Sequence, residues 1–425
     1  MKLGLKKIWS ILFVITFILQ REITSLEINI IVLTTIVGLF ILLNKCKLIK
    51  NDYYLISILF LIMGIGFFSA IFNKPTAYNF IRDVIYFTKP ILLILLGYFF
   101  SKTINDWKLV LKSLIYLGVG YSIYHISHFL LFTNFNNLTI SHIRGVNGLS
   151  NIIVMFAIAL IILGNKYPKF SIFKKKSTKY FFLVLLSISF MIYFSRTMFV
   201  GLIFLVLGVL NYLKLNKKGL KYLFIITLFF IGLYTYLFTV KIDRNGKGIE
   251  NFLYKLKIAP SEIFSPEIDL NDHAKLWDHW RAYEAYCAFQ DLNKSSINYV
   301  AGKGFGALID LKFSAPISSE GTVRYIPILH NGYIFILYKT GVLGLILYLF
   351  FLFTLYFQAY KKTQSLEVKN FSNLVSATSL YLIFSSLIIT GLYNLQEETA
   401  MFLGVFLFLK SNSKINFNEN RNYRN

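Results

Sequence analysis

Apolar residues in this chain gather into long runs, each closed by lysines, turn residues or aromatic rings. A helix that crosses a bilayer needs about 20 mainly apolar residues, because the hydrocarbon core is about 30 Å thick and each residue rises about 1.5 Å. The runs at 7–20, 28–43, 53–72, 80–100, 109–132, 149–163, 180–195, 198–213, 220–240, 331–358, 374–392 and 399–410 predict about twelve spans. The expected fold class is therefore an all-α polytopic membrane protein. Met1 to Leu19 has the basic start and apolar stretch of a signal peptide but no small-x-small cleavage site, so it is read as the first helix.

One connection breaks the pattern of short loops, the stretch Lys241 to Leu329 between the ninth and tenth spans. It divides the chain into 1–240 with the first nine spans, the large loop 241–329, a segment 330–410 with the last three spans, and a tail 411–425. Long ordered loops on a rigid scaffold usually carry binding or chemistry. Within this one, Asn271 to Asp291 predicts an amphipathic helix, with Leu276, Trp280, Tyr283 and Cys287 on one stripe and Arg281 at its border. The stripe is expected to pack against the membrane part.

Composition agrees with lipid as the solvent: 56% of residues are hydrophobic, 15% are charged, and mean hydropathy is +0.60. The net charge of +24, from 44 Lys and Arg against 20 Asp and Glu, would suggest nucleic acid as a partner of a soluble domain. Its placement argues otherwise. Lys45, Lys47 and Lys50, then Lys102 and Lys108, Lys166 through Lys179, Lys214 through Lys221, and Lys361 with Lys362 fall on alternate connections. The intervening short loops carry little besides Arg21, Lys74, Arg144 and Arg196. The positive-inside rule then puts the lysine-rich loops and both termini in the cytoplasm and the large loop on the opposite, extracytoplasmic face. A multi-pass membrane protein is expected, with no nucleic acid as partner. The two cysteines, Cys46 and Cys287, fall on opposite faces and cannot pair with each other.

Several residues are placed for chemistry. His330 opens an apolar run at the predicted membrane surface, where an imidazole can accept a proton from a hydroxyl, cap the helix or bond a headgroup. Asn331 either orients that imidazole, contacts substrate or caps the helix. Arg196 lies between two barely spanning runs, so its guanidinium needs an anion or a wet cavity, unless it snorkels to headgroups. A diphosphate suits its planar fork. Arg82 and Lys89, seven residues apart, share a face of the fourth span and either bind substrate or pair with Asp83 or another helix's acid. Arg144 is a candidate of the same kind. His125 and His128 share a face of the fifth span, as consistent with packing as with a site. Gly302 to Gly306 imitates a nucleotide-binding loop without the helix and third glycine that should follow, and is read as a turn that lets backbone approach a ligand. Asp269, Asp272, His273, Asp278 and His279 lack a recognised metal-ligand spacing, and no Asp-x-Asp pair occurs, so metal-independent chemistry is expected.

The segment Leu329-His330-Asn331-Gly332-Tyr333 through Gly341-Val342-Leu343-Gly344-Leu345 is the most specific signal in the chain. It resembles the signature of the O-antigen ligase and O-antigen polymerase superfamily of bacterial membrane glycan polymerases: a His-Asn pair, a short amphipathic helix, Gly-x-x-Gly and a membrane helix. Ser195-Arg196-Thr197 and Gly302-Lys303-Gly304-Phe305-Gly306 stand where that family has similar features. The likeness in layout covers most of the chain, and at residue level it runs from about Ser195 to Phe350.

The resemblance implies a membrane glycosyltransferase with a lipid-diphosphate-linked glycan donor, His330 as its base, Arg196 as one diphosphate ligand and a second arginine in the large loop. Arg281 fits that second place best, and Arg324 is its rival. The expected activity is an O-antigen or capsular repeat-unit polymerase, the alternative being the ligase that moves finished glycan to lipid A core. Expected partners are undecaprenyl-diphosphate-linked oligosaccharides, membrane lipids and a chain-length regulator, with no cofactor. A lipid-oligosaccharide flippase would need a similar number of helices and internal cations. The single large loop and the missing internal repeat speak against it.

Overall fold

The computed structural model describes residues 2–43, 45–133, 151–193, 195–244, 246, 249–262, 273–318, 321–394 and 398–422. Each apolar run predicted to span forms a helix. In the first part of the chain these are α1 (Lys2–Glu22), α2 (Leu26–Leu42), α3 (Lys50–Asn73), α4 (Ala77–Ile104), α5 (Trp107–Phe132), α6 (Asn151–Lys166), α7 (Lys176–Ile192), α8 (Arg196–Leu210) and α9 (Lys217–Thr239). After the large loop come α14 (Gly332–Tyr356), α15 (Leu366–Ile388) and α16 (Thr399–Asn422). Local chemistry sets their starts. Ser25, Thr76, Asp106 and Ser365 each accept a hydrogen bond from a backbone N–H of the first turn that has no helical partner.

Six of these helices, α3, α4, α5, α9, α14 and α15, are long and apolar enough to cross a membrane. Others, α2, α6 and α8, are apolar but only 17, 16 and 15 residues long. The architecture is that of an all-α membrane protein. At its centre α4 and α16 lie side by side, and Phe402 of α16 stacks on Phe156 of α6 with ring centroids 4.1 Å apart. Peripheral α9 contrasts with them, since only 6% of its most apolar window is buried.

The segment 241–329 is more structured than a single amphipathic helix in a loop. It holds α10 (Ile249–Lys257), α11 (His273–Asp278), α12 (Trp280–Leu292) and α13 (Ser296–Ala301). An antiparallel hairpin follows, β1 (Ile309–Ser318) with β2 (Gly321–Ile326), pairing Ile309 with Ile326 and Asp310 with Tyr325. The helix expected over 271–291 breaks at His279, whose φ of −111° and ψ of 22° leave the helical region. Leu276, Trp280, Tyr283 and Cys287 are all buried, but the stripe packs chiefly on the hairpin rather than on the membrane part as expected. It covers β1, to which the Tyr283 hydroxyl donates at the Leu311 carbonyl, 2.5 Å away.

The turn Gly302–Gly306 brings its backbone against three helices, α3, α4 and α14. Gly302, Gly304 and Gly306 have φ of 76°, 77° and 84°, a region that side chains disfavour. A Cβ on Gly304 would strike the backbone of Ser69 and Ala70 in α3. Helix α14 is interrupted at Gly341, with φ 67° and ψ −171°, so the carbonyls ending its first segment need outside donors. The turn supplies them: Lys303 N donates to Tyr338 O at 2.7 Å and Gly304 N to Lys339 O at 3.1 Å. On the other side Phe305 N donates to Gly66 O of α3 at 3.1 Å.

A buried ion pair closes this clamp. Lys339 Nζ lies 2.5 Å from Asp83 Oδ2 of α4, both side chains are fully buried, and Gly306 N donates to the same oxygen at 2.5 Å. The acid beside Arg82 is thus committed to a lysine of another helix. The first segment of α14, with His330 just ahead of it, is held against α3 and α4 by backbone and charge together.

Candidate active site

Helix α12 carries Arg281 and Glu284 one turn apart, and Glu284 faces His330 just ahead of α14. Asn331 caps that start, its Oδ1 accepting from Tyr333 N at 3.1 Å and Ile334 N at 3.2 Å. The cap fixes the direction in which the chain enters, and so places His330 beside Glu284. His330 N donates to Glu284 Oε2 at 2.9 Å, and His330 Nδ1 lies 2.9 and 3.0 Å from the two carboxylate oxygens. Trp280 Nε1 donates to Oε1 of the same carboxylate at 2.6 Å. An indole and a backbone N–H can only donate, so Glu284 is the acceptor throughout. In neutral His330 the proton therefore sits on Nδ1 and Nε2 keeps its lone pair. The imidazole is half exposed while Glu284 is buried, so a fixed anion holds a reachable base.

Arg196 is the first residue of α8, where a cation opposes the helix dipole and needs an anion nearby. Glu262 provides it. Arg196 Nη2 lies 3.2 Å from each Glu262 oxygen, and its Nη1 donates to the carbonyl of Lys255. Arg281 Nη1 reaches Glu262 Oε2 at 2.6 Å, while its Nε is buried with no hydrogen-bond partner among the described residues. Two guanidinium groups from distant parts of the chain thus converge on one carboxylate, each through a single nitrogen. Around them lies a cavity of about 290 Å³ lined by Arg196, Lys255, Glu262, Trp277, Trp280, Arg281 and His330.

The rest of the rim is charge-paired. Asp278 takes Lys255 Nζ at 3.0 Å, Arg244 Nε at 2.7 Å and the Tyr254 hydroxyl at 2.9 Å. Burial would raise the Asp278 carboxyl, but the bonds from Arg244 and Lys255 outweigh it and hold it below its ordinary value. The pocket is therefore polar and cationic, with two indoles as flat apolar walls, a lining suited to an anion joined to a ring-bearing group.

Of the residues singled out in the sequence, Arg196, Arg281 and His330 come together here. Arg324 does not line this cavity: it sits on the exposed hairpin in a fork with Asp310, at 2.8 and 3.1 Å. That pairing holds the Asp310 carboxyl well below the carboxylate range. Asn331 is a helix cap. Arg82 and Lys89 lie outside the cavity on α4; Arg82 stacks 5.5 Å over the Tyr78 ring with Nε and Nη2 unpartnered among the described residues, and buried Lys89 interacts with Glu398. His125 is a packing residue, its Nδ1 2.9 Å from Ser189 Oγ. Arg144, Asp269 and Asp272 fall outside the described residues.

Sequence reasoning misses Glu284, Glu262 and Lys255, and it weighs Asp278 only as a metal ligand, not as the anion of the rim. For Glu284 a signal exists. It lies four residues after Trp280 and three before Cys287, on the apolar stripe, where a carboxylate must find donors. Glu262 has no such mark. No family model matches this chain, and no curated protein matches it in sequence.

Proposed function

We propose that this protein is a membrane glycosyltransferase that polymerises undecaprenyl-diphosphate-linked oligosaccharide repeat units, of O-antigen or capsule type, on the periplasmic face of a bacterial inner membrane. In this reading about twelve helices cross the membrane and segment 241–329 faces outward. The observation that carries it is the convergence of Arg196, Arg281 and His330, far apart in the chain, on one cavity of about 290 Å³.

The chemistry follows from the contacts. An acceptor sugar hydroxyl attacks the anomeric carbon of the donor, the bond from that carbon to the diphosphate oxygen breaks, and the lipid diphosphate leaves with the electron pair. The hydroxyl proton passes to His330 Nε2, the nitrogen that Glu284 leaves unprotonated. Negative charge growing on the leaving diphosphate is met by Arg196 and Arg281, whose guanidinium groups already hold an oxyanion, the Glu262 carboxylate. Donor diphosphate takes that seat as Glu262 yields it.

Two experiments test the reading. With lysine at either position, a point charge cannot make two parallel bonds, so Arg196→Lys and Arg281→Lys should each slow transfer by about ten- to a hundredfold, the loss of one charge-assisted hydrogen bond of roughly 1.5–3 kcal/mol. The assay is lengthening of a lipid-diphosphate-linked repeat unit by the purified protein. Near-normal product length in both variants would reduce the arginines to structural ties on Glu262. Orientation is tested by reporter fusions, for which extracytoplasmic behaviour is expected after Gly248 and cytoplasmic behaviour after Ser177. Both reporters on one side would overturn the orientation on which the proposal depends.

A further inference from the structure

A second cavity, of about 980 Å³, lies at the opposite end of α14 from His330, between α3, α14, α15 and α16. Its volume is at the top of the roughly 300–1,000 Å³ range of small-ligand sites. Lys361, Lys362, Lys410 and Lys414 line it, and among the described residues none of the lining side chains is acidic. Only Lys410 is neutralised from beneath, 3.5 Å from buried Asp52. Lys361, Lys362 and Lys414 are exposed and make no ion pair among the described residues. The groove continues along apolar side chains of two helices able to span the membrane, Leu55 and Ile58 of α3 and Phe350 of α14.

Cations at one end and hydrocarbon walls running into the membrane describe an amphiphile with a negative head. We infer that this groove binds one anionic phospholipid, its phosphate among Lys361, Lys362 and Lys414 and its acyl chains against Leu55, Ile58 and Phe350. A soluble phosphate would match the lysines but leave the apolar wall unused, whereas a zwitterionic lipid would fill the wall but gain little from the charge. Basic pockets between membrane helices hold anionic headgroups through the same combination. The site does not depend on the proposed glycosyl transfer, since it shares no residue with the His330 cavity.

The test is a native mass-spectrometric titration of the detergent-purified full chain with phosphatidylglycerol and, separately, phosphatidylcholine. Wild type should retain phosphatidylglycerol preferentially. The triple variant Lys361→Gln/Lys362→Gln/Lys414→Gln should lower that affinity on the order of a hundredfold, about fivefold per lysine. The variant Lys361→Arg/Lys362→Arg/Lys414→Arg should keep it. Removing the same charge elsewhere, with Lys174→Gln/Lys175→Gln/Lys176→Gln, should leave binding unchanged. Equal retention of the two lipids, an equal loss in both glutamine variants, or no loss in the groove variant would overturn the inference. So would displacement of phosphatidylglycerol by millimolar inorganic phosphate, which would make this a soluble-anion site.

Discussion

His330→Ala should slow the proposed glycan transfer by about 10²- to 10⁴-fold, the usual contribution of a positioned general base, while expression and donor binding persist. The two effects separate because the arginine seat does not depend on the imidazole: Arg196 and Arg281 are held by Glu262, and His330 by Glu284. Glu284→Gln keeps the shape of the anchor but removes its charge and offers His330 a donor in place of one acceptor oxygen. It should reduce the rate less than His330→Ala and change the pH profile of transfer. In cells, a polymerase defect leaves one repeat unit on the lipopolysaccharide core and no ladder. A ligase defect leaves the core bare while lipid-linked polymer accumulates. A normal ladder on a normal core would remove His330 from the chemistry and favour a transport role.

The largest effect on stability is expected at the clamp. Lys339→Met leaves Asp83 charged, fully buried and without its cation, a change that costs about 3–5 kcal/mol in buried pairs. The unfolding midpoint of the detergent-solubilised protein should fall sharply. The double variant Lys339→Met/Asp83→Leu removes the stranded charge and should recover part of that loss, the remainder reflecting Gly306 N without its acceptor. A single variant no less stable than a surface substitution, within about 0.5 kcal/mol, would show that the pair does not hold the turn to α4 and α14.

What the sequence reveals and what it hides divide along physical lines. Helices were legible because lipid imposes a local rule, about 20 apolar residues with every backbone group bonded inside the segment. The stripe through Leu276, Trp280, Tyr283 and Cys287 was legible for the same reason, since a helix repeats on itself. The break at His279 was not, because nothing in the local pattern forbids continuation there. The hairpin is a different case: Ile309, Leu311, Phe313 and Ala315 alternate as a half-buried strand should, and Pro316 close behind obscures the pattern. Least legible were the ionic partners. Lys339 and Asp83 lie 256 positions apart, and periodicity shows which face a charge occupies but not which distant charge meets it. Arg281 was preferred to Arg324 on sequence alone, but its meeting with Arg196 on Glu262 was not legible, because the packing of α12 creates it.

Helix α9 carries a consequence for the membrane around it. Its 23 residues extend about 34 Å, against a hydrocarbon core of about 30 Å, and few of them are buried by the rest of the protein. A bare helix of that length relieves hydrophobic mismatch by tilting, with few neighbours to resist. The Tyr234 hydroxyl on α9 donates to Leu256 O of α10 at 3.2 Å, next to Lys255 on the cavity rim. Transfer rates compared in short-chain and long-chain bilayers would show whether that tie carries the tilt; equal rates would mean that it does not. With unequal rates, bilayer thickness becomes a variable at the cationic pocket, and the lipid serves as a gauge as well as a solvent.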